Sequence, residues 1–378
     1  MIDLRRRLGT ALALIQAPMA GVQGFELAAA VSQAGGLGSL PAATFSPDQL
    51  RAELQALRAA TDRPWAVNFF CHRAPQDEGG AAEQRWIDAI DPWYAEAGLA
   101  PPRPAGAARA PFSATLADLV ETFRPPVVSF HFGLPEPSLL ARVRGWGSRV
   151  LSSATTVDEG LWLQAHGVDA VIAQGLEAGG HRGHFLRSDH DLGGQMPTLE
   201  LVASLAARLQ VPVIAAGGLA DAASVQQAFA AGASAVQVGT AFLGCDEART
   251  APLHRRALGV AKAFPTEADP GESPEPARPH DRRGQPRPTA ITAAFTGRPA
   301  RGLVNSWIEQ SAGLADAIPP FPLATGALAP LRAAAEARGL NDFTPLWAGM
   351  RNEACHAVPA AHIVHALAAR WRLTETTP

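Results

Sequence analysis

Gly179, Gly180 and His181 follow an apolar run at 170–175, near the middle of the chain. The run has the composition of a buried β-strand, and the glycines allow left-handed backbone or close approach to a ligand. A histidine ring titrates near neutral pH and can donate or accept a hydrogen bond. This order of residues predicts a strand end that presents His181 to a bound molecule. The alternative is a simple glycine turn with a solvated histidine.

A second group of residues is suited to binding an anion. Gly217 and Gly218 end one apolar run, and Gly239 and Thr240 end the next. Free backbone N–H groups, a hydroxyl and a helix start can bind phosphate without a lysine. We call these four residues the glycine cradle, and we predict that it binds a phosphate of the substrate or of a nucleotide cofactor. Alternatively, each pair only turns the chain into the next helix.

Polar side chains interrupt strands that are otherwise apolar. A buried amide is unfavourable unless it is hydrogen-bonded, so several amides on one face predict a planar ligand with donors and acceptors along its edge. Pro18 and Met19, after the first strand, could pack on the face of a ring. The polar residues are Gln16, Asn68, His131, Gln174 and Gln237.

Eight short apolar runs, each followed by a break and a helical pattern, would position these residues. Strands that alternate with helices and are apolar almost throughout are typical of a parallel sheet, and eight strands close a TIM-type barrel. No G-x-G-x-x-G follows the first run, which disfavours an open Rossmann sheet. We therefore predict an α/β fold, a (β/α)8 barrel, with the site at the carboxyl ends of its strands. The runs lie at 14–21, 36–40, 65–70, 127–132, 149–155, 170–175, 211–218 and 235–242.

Two helix starts are marked by local signals. Thr156 and Glu159 have the spacing of a capping box, and Asp221 precedes a stretch in which apolar residues recur four apart. Both patterns predict the first turn of an outer helix of the barrel.

The barrel is predicted for residues 1–264, with a helical excursion at about 71–125. Residues 265–290 are rich in proline, arginine and acidic residues, so we expect a flexible loop there. Residues 291–340 are predicted to form a small substrate lobe. The segment 341–378 should contain an amphipathic helix that packs back on the barrel.

Composition excludes several classes of function. The chain is 47% hydrophobic and 18% charged, which predicts a globular protein with a large core. A net charge of −3 gives no basic field for nucleic acid. No apolar run approaches the about 20 residues of a membrane helix. Cys71, Cys245 and Cys355 are too far apart for a metal site and odd in number, so we expect free thiols, no metal and a cytoplasmic location.

Seven blocks of the sequence, in order, resemble the FMN-dependent nitronate monooxygenases, formerly called 2-nitropropane dioxygenases, and most closely their class I branch. The resemblance runs from about residue 11 to 309 and resumes at LWAGM. It implies a barrel with a substrate lobe, FMN as cofactor, and oxidation of an alkyl nitronate, such as one like propionate 3-nitronate, by O2 to a carbonyl compound and nitrite. The blocks are IQAPMAG, VNFF, SFHFGLP, VIAQGLEAGGHRG, VPVIAAGGLAD, VQVGTAFL and AFTGRPARGLVN.

The family pattern, carried over by position, implies the residues of the active site. His181 falls on the family's active-site histidine, which would hold the nitronate or accept a proton, and His131 is the second candidate in the substrate pocket. The phosphate of FMN would lie in the glycine cradle. The residues expected to bind FMN are Ala17, Pro18, Met19, Asn68, Gln174, Gly179, Gly180, Gly217, Gly218, Gln237, Val238, Gly239 and Thr240.

Other polar residues near these blocks receive weaker assignments. We expect His184 and His190 to be solvated. Arg298 and Arg301 would either attract the anionic substrate or lie on the surface and brace the lobe.

The chain departs from the family at three points. One is the loop at 265–290, which is longer and richer in proline than the family pattern. Tyr94 is its single tyrosine, whereas family members often line the lobe with tyrosines, and Trp307 would replace one of them. Met350 stands where the family usually has glutamine.

Other functions stay open at this point. A related barrel could use NAD(P)H to reduce FMN, as an enoyl-thioester or quinone reductase does. A phosphate-binding barrel could act without redox chemistry, as an isomerase or lyase on a sugar phosphate, and a flavin-binding protein could lack catalysis. The chain is expected to act on small molecules as a monomer or a homodimer.

Overall fold

Parallel strands form the centre of the computed structural model, which describes residues 3–75, 80–106, 109–260 and 286–369. The strands are β1 (Leu14–Gln16), β2 (Gly38–Pro41), β3 (Trp65–Phe70), β4 (Val127–His131), β5 (Arg149–Ala154), β6 (Ala170–Gln174), β7 (Gly180–His181), β8 (Val213–Ala216), β9 (Ala235–Val238), β10 (Thr289–Thr292) and β11 (Ala300–Leu303). The α-helices are α1 (Leu4–Leu8), α2 (Phe25–Gln33), α3 (Pro47–Ala60), α4 (Ala81–Ala97), α5 (Ala114–Glu121), α6 (Pro137–Gly145), α7 (Val157–Ala165), α8 (Thr198–Ala206), α9 (Ala222–Ala230), α10 (Pro252–Leu258), α11 (Ser306–Gln310), α12 (Ala324–Ala337) and α13 (Ala360–Leu367).

Eight of these strands make one sheet in the order β1-β9-β8-β6-β5-β4-β3-β2, and their neighbours pair in parallel. The sheet closes between β1 and β2. There, Leu37 N donates to Leu14 O at 2.8 Å, and Gln16 N donates to Leu37 O at 2.9 Å. The predicted (β/α)8 barrel is therefore confirmed.

Alternate residues of each strand serve two different cores. Val127 and Ile172 pack in the barrel interior together with Leu4 of α1, whereas their neighbours Val128 and Val171 pack against the outer helices. Successive side chains of a strand point to opposite faces, so a strand buried on both faces must be apolar at nearly every position. This requirement explains why short continuous apolar runs identified the strands.

The predicted helix starts are present, with one correction. The side chain of Asp221 caps α9 and accepts from a backbone N–H at 2.8 Å. Thr156 caps α7 and accepts from Glu159 N at 3.3 Å. The reciprocal half of the predicted capping box is wrong, because the Glu159 carboxylate instead accepts from Thr155 N and Phe185 N, both at 2.7 Å. Glu159 thus ties the loop after β7 to the outer face of the barrel.

A second sheet, β10-β11-β7, is antiparallel and lies beside the barrel. The helices α4 and α12 pack on each other, and their buried cluster includes Trp86, Tyr94 and Trp307. The hydroxyl of Tyr94 donates to the carbonyl of Ala327 across this helix pair. Because β7 follows β6 in the chain, this sheet links the lobe directly to the carboxyl edge of the barrel.

The helix α13 packs against α2 and α9, and Ile363 and Val364 belong to the same core as the outer face of the barrel. The predicted loop at 265–290 falls mainly on residues 261–285, which lie outside the described residues, and Thr289 already belongs to β10. Among the described helices, none combines the length and apolar character needed to cross a membrane.

Candidate active site

The carboxyl ends of the barrel strands surround a cavity of about 380 Å3. Parallel strands of a barrel end at the same rim, so residues that end different strands meet there. All of the residues predicted for catalysis or cofactor binding line this one cavity: Ala17, Pro18, Met19, Asn68, His131, Gln174, Gly179, Gly180, His181, Gly217, Gly218, Gln237, Val238, Gly239 and Thr240.

The glycine cradle lies at the ends of the neighbouring strands β8 and β9. Gly217 and Gly218 have φ of +121° and +67°, a backbone conformation that favours glycine. Within the described residues, the N–H groups of Gly218, Gly239 and Thr240 have no hydrogen-bond acceptor. The Thr240 hydroxyl accepts from a backbone N–H at 2.9 Å, so its own hydrogen is free to donate. Unpartnered donors on one surface suit an anion of phosphate size.

The predicted amides separate into two groups. Asn68 Nδ2 donates to Ser129 Oγ at 2.9 Å, while Asn68 Oδ1 and the Gln237 amide have no partner in the part of the chain that the structure describes. Gln16 does not line the cavity, and its Oε1 accepts from Ser39 N at 3.0 Å. The expectation that Gln16 contacts a shared ligand is wrong, because its amide is satisfied inside the core.

Two side chains predicted to face a ligand instead position the backbone of His181. Gln174 Nε2 donates to His181 O at 2.9 Å, and Gln174 Oε1 accepts from Gly183 N at 2.7 Å. His131 Nε2 lies 3.2 Å from the same carbonyl, and His131 Nδ1 lies 3.0 Å from Ser153 Oγ. Since a carbonyl can only accept, His131 carries its proton on Nε2. Both ends of each side chain are therefore engaged.

Positions 179 and 180, before His181, require glycine for different physical reasons. A Cβ at Gly179 would lie 2.5 Å from the carbonyl carbon of Ala348, so a larger residue would collide with the chain that passes over it. Gly180 has φ of +72°, and a Cβ there would meet nothing within 4 Å. Packing against Ala348 is thus a second reason for glycine at position 179, which also lines the cavity.

His181 is held between the barrel and the lobe. It pairs with Ala300 of β11, and its Nε2 lies 3.0 Å from Thr296 Oγ1. The Thr296 hydroxyl also lies 3.3 Å from the carbonyl of Arg298, so it can donate to either partner. Nδ1 of His181 has no partner among the described residues and is the ring nitrogen left for a ligand.

Burial keeps the histidines around the cavity neutral. Desolvation, reinforced by the positive charge of Arg109, lowers the pKa of His181 well below its usual 6.5. Desolvation also lowers the pKa of His131 to about 3 and that of His72 to about 4. At pH 7 the His181 ring is therefore neutral, with one nitrogen able to donate and the other able to accept.

Aromatic rings from both the barrel and the lobe surround His181. The ring centroids of Phe70, Phe321 and Trp347 lie 6.0, 5.4 and 5.6 Å from that of His181. Phe132, whose φ is +70°, adds a ring at 6.1 Å. This apolar wall is the reason why desolvation dominates the pKa of His181.

Sequence reasoning missed several residues that line the cavity. Arg109 follows α4 in a stretch without regular structure, and Arg332 lies on α12 of the lobe. Local patterns carry no signal for such residues, because only the packing of the lobe against the barrel brings them to the rim. The missed residues include Arg109, His254, Arg332, Trp347 and Arg351.

Arg298 and His184 do not match their expected positions. Arg298 is 4% exposed and does not line the cavity; it donates to Asp189 at 2.5 Å and lies 4.1 Å above the Phe132 ring. His184, expected to be solvated, is 1% exposed, and its carbonyl accepts from Arg298. Both side chains brace the loop after β7, so neither expected role for Arg298, as a cavity cation or a surface residue, is correct.

Arg301, Trp307 and Met350 also lie outside the cavity lining. Arg301 donates to a backbone carbonyl at 2.9 Å and braces the lobe. Trp307 was expected to replace a tyrosine of the substrate pocket, but it packs on Trp86 inside the lobe, with ring centroids 6.0 Å apart. Met350 is 47% exposed.

Comparison with known proteins agrees with this geometry. The family model for nitronate monooxygenase matches residues 4–279. A nitronate monooxygenase of Pseudomonas aeruginosa is 40% identical over 372 residues, which cover 97% of this chain and 98% of the relative. A nitronate monooxygenase of Paraburkholderia phytofirmans is 39% identical over 361 residues, which cover 94% of this chain and 91% of the relative. The structure of nitroalkane oxidase from Streptomyces ansochromogenes superposes with a TM-score of 0.83 at 36% identity and covers 99% of both chains. The chain therefore belongs to the nitronate monooxygenase family of flavin-dependent oxidoreductases.

Proposed function

We propose that this enzyme uses FMN to oxidise alkyl nitronates with O2, yielding a carbonyl compound and nitrite. The observation that carries the proposal is a single cavity that joins the glycine cradle to the neutral ring of His181. A volume of about 380 Å3 lies within the range of about 300–1,000 Å3 typical of small-molecule and cofactor sites. The nitronate monooxygenase relatives support this substrate class.

The residues of the cavity fit flavin mononucleotide. The glycine cradle offers unpartnered N–H groups to one phosphate, and Asn68 Oδ1 and the Gln237 amide are free to bond the edge of the flavin ring. Pro18 and Met19 supply an apolar surface. Bound flavin supplies the electron transfer, while the protein supplies position and electrostatics. The other residues that we assign to FMN are Ala17, Gly179, Gly180 and Val238, whereas Gln174, predicted to bind FMN, lines the cavity and holds the His181 carbonyl.

His181 is the residue that we assign to the nitronate. When the Thr296 hydroxyl donates to His181 Nε2, the proton of the ring lies on Nδ1, which can donate to a nitronate oxygen. When Thr296 donates to the Arg298 carbonyl instead, Nδ1 is unprotonated and can accept a proton. His131, predicted as a second active-site histidine, acts in this proposal as a positioning residue through the His181 carbonyl.

Replacing Thr296 by valine tests this arrangement. Valine has a similar shape but leaves His181 Nε2 without a partner, and an unmade buried hydrogen bond costs about 1–3 kcal/mol. We expect kcat for ethyl nitronate, measured as nitrite released, to fall about tenfold. The flavin content should not change, because Thr296 does not line the cavity. Thr296→Ser keeps the hydroxyl and should retain the rate, so equal rates for the two variants would remove Thr296 from the mechanism.

The anaerobic absorption spectrum of the purified holoenzyme, recorded before and after addition of ethyl nitronate, tests the proposed function. We expect the bands of oxidised flavin to bleach with nitronate and to return with O2, as nitrite appears. Mass spectrometry of the cofactor released by heating should give FMN. Bands that bleach with NADH but not with nitronate would support the reductase alternative, and release of FAD would contradict the cofactor assignment.

We also propose that the enzyme works in a reducing compartment such as the cytoplasm. Cys71, Cys245 and Cys355 are all free thiols in the structure. Free thiols in a chain with several cysteines are typical of such a compartment.

A further inference from the structure

We propose that the guanidinium of Arg109 binds the anionic nitro group of the nitronate and determines the preference for this charge state. The inference rests on the proposed function and assigns a residue to its substrate.

Arg109 lies on the opposite side of the barrel from the glycine cradle. Phe112 N donates to Phe70 O at 2.8 Å, and His72 Nε2 lies 3.3 Å from Arg109 O, so the chain around Arg109 is fixed to the end of β3. In the closed order of strands, β3 lies four positions from β8, whose end carries Gly217 and Gly218. A phosphate in the glycine cradle therefore leaves Arg109 free for a second anion.

Arg109 lines the same cavity as His181 and lies close enough for its charge to act on the His181 ring. Its charge helps to lower the pKa of the His181 ring, and the Phe70 ring lies 6.0 Å from the ring of His181 and 6.5 Å from that of His72. His72 in turn bonds the Arg109 carbonyl. A nitronate that accepts from His181 Nδ1 is thus within the field of the guanidinium.

Among the residues that the structure describes, no carboxylate pairs with the guanidinium of Arg109. Its side chain has no hydrogen bond or ion pair with any residue that the structure describes, although the residue is partly buried in the cavity wall. Burial and the positive charge of Arg332 lower its pKa, but an arginine side chain stays protonated at neutral pH. A partly desolvated cation without a counter-ion is unfavourable, and a bound anion relieves this cost.

The other charged groups of the cavity are already paired. Arg351 bonds Asp221 at 3.1 Å, and Arg332 bonds Glu336 at 2.6 Å. The carboxylate of Glu177 accepts from the N–H and hydroxyl of Thr198 at 2.9 and 2.6 Å. Among the cavity-lining residues that the structure describes, Arg109 is therefore the guanidinium without a carboxylate.

The test compares Arg109→Gln with Arg109→Lys in the holoenzyme. We expect glutamine to raise KM for ethyl nitronate about 10–100-fold, since hydrogen bonds to charged groups are among the strongest. The dissociation constant of nitrite, measured from its effect on the flavin spectrum, should rise in parallel. Lysine should partly restore both the KM for ethyl nitronate and the affinity for nitrite, because it restores the positive charge but not the planar guanidinium with its paired donors. Flavin content should stay unchanged and the thermal midpoint should not fall, since no described residue accepts from the Arg109 side chain and its charge is unfavourable when no anion is bound.

Arg338→Gln is the matched control, because it removes one positive charge from an exposed site at the end of α12 that does not line the cavity. It should leave KM within about twofold. An unchanged KM and nitrite affinity in Arg109→Gln would overturn the inference. So would a loss confined to propionate 3-nitronate, since it would place the contact at a distant carboxylate. If the flavin bands of the wild-type enzyme do not bleach with nitronate, the proposed function itself is contradicted. This result differs from the two outcomes that would overturn only the role of Arg109.

Discussion

Replacing His181 by asparagine is expected to lower kcat/KM for alkyl nitronates by about 10²–10⁴-fold, while the protein stays yellow. The loss follows from the position of the ring: Nε2 is bonded to Thr296, and Nδ1 is left for the substrate. Asparagine is shorter than histidine, so it cannot bond Thr296 and the substrate at the same time. The backbone contacts of His181 with Gln174 and His131 do not depend on its side chain, so the turn should persist.

Steady-state nitrite formation and the flavin absorbance of the same preparation measure this result. His190→Asn is the control, because His190 is exposed and does not line the cavity. It should retain normal activity. An active His181→Asn enzyme would disprove the assignment of His181, whereas a colourless one would show that its side chain is needed to retain the cofactor.

The folded protein is expected to lose stability steeply as the pH falls from 7 to 5. Burial lowers the pKa of His72 and of His254 to about 4 and that of His131 to about 3. In the unfolded chain these groups have pKa values near 6.5, so below pH 6.5 the unfolded state binds more protons. Their contribution to stability is therefore fully present above pH 6.5 and declines below it, by about 1.4 kcal/mol per pH unit for each histidine.

At pH 5 each of these histidines lowers the free energy of unfolding by up to about 2 kcal/mol. The sum, roughly 6 kcal/mol, is comparable with the total stability of many domains, so urea midpoints should fall sharply across this window. His181 and His184, whose pKa values are also lowered by burial, act in the same direction.

Urea unfolding at pH 7.5, 6.5, 5.5 and 5.0 gives the slope of stability against pH. His254→Gln should reduce that slope below pH 6 by about 1.4 kcal/mol per unit, whatever its effect on absolute stability. His356→Gln is the control, since His356 is exposed and should leave the slope unchanged. An identical slope in His254→Gln and wild type would mean that His254 takes up its proton in the folded state.

The residues that meet at the strand ends could be predicted from the sequence, because each strand is marked by a short apolar run. The run 127–132 became β4 at Val127–His131, and the run 235–242 became β9 at Ala235–Val238, followed by a short 3-10 helix at Thr240–Phe242. Once eight parallel strands are assigned, geometry requires their carboxyl ends to share one rim. The predicted residues therefore line one cavity without any knowledge of the loops.

Residues outside the strand ends were not predictable in the same way. Arg298 was expected at the cavity or the surface, yet it bonds His184, which is 114 residues away along the chain. The passage of Ala348 over Gly179, which also requires a glycine there, had no signal in the sequence. Arg109 carried no signal at all. Each of these roles depends on a contact between segments that are distant in sequence, and no local pattern encodes such a contact.

The sequence by itself determined the barrel, the glycine cradle and the place of His181, because apolar periodicity and glycine positions act within a few residues of chain. Only the tertiary structure decided the charge state and orientation of His181. Its pKa depends on the rings of Phe70, Phe321 and Trp347, which come from three separate segments. The desolvation of the Arg109 charge, which no residue in the described part of the chain pairs, likewise appears only in the folded protein, because desolvation depends on the assembled cavity and not on residue type.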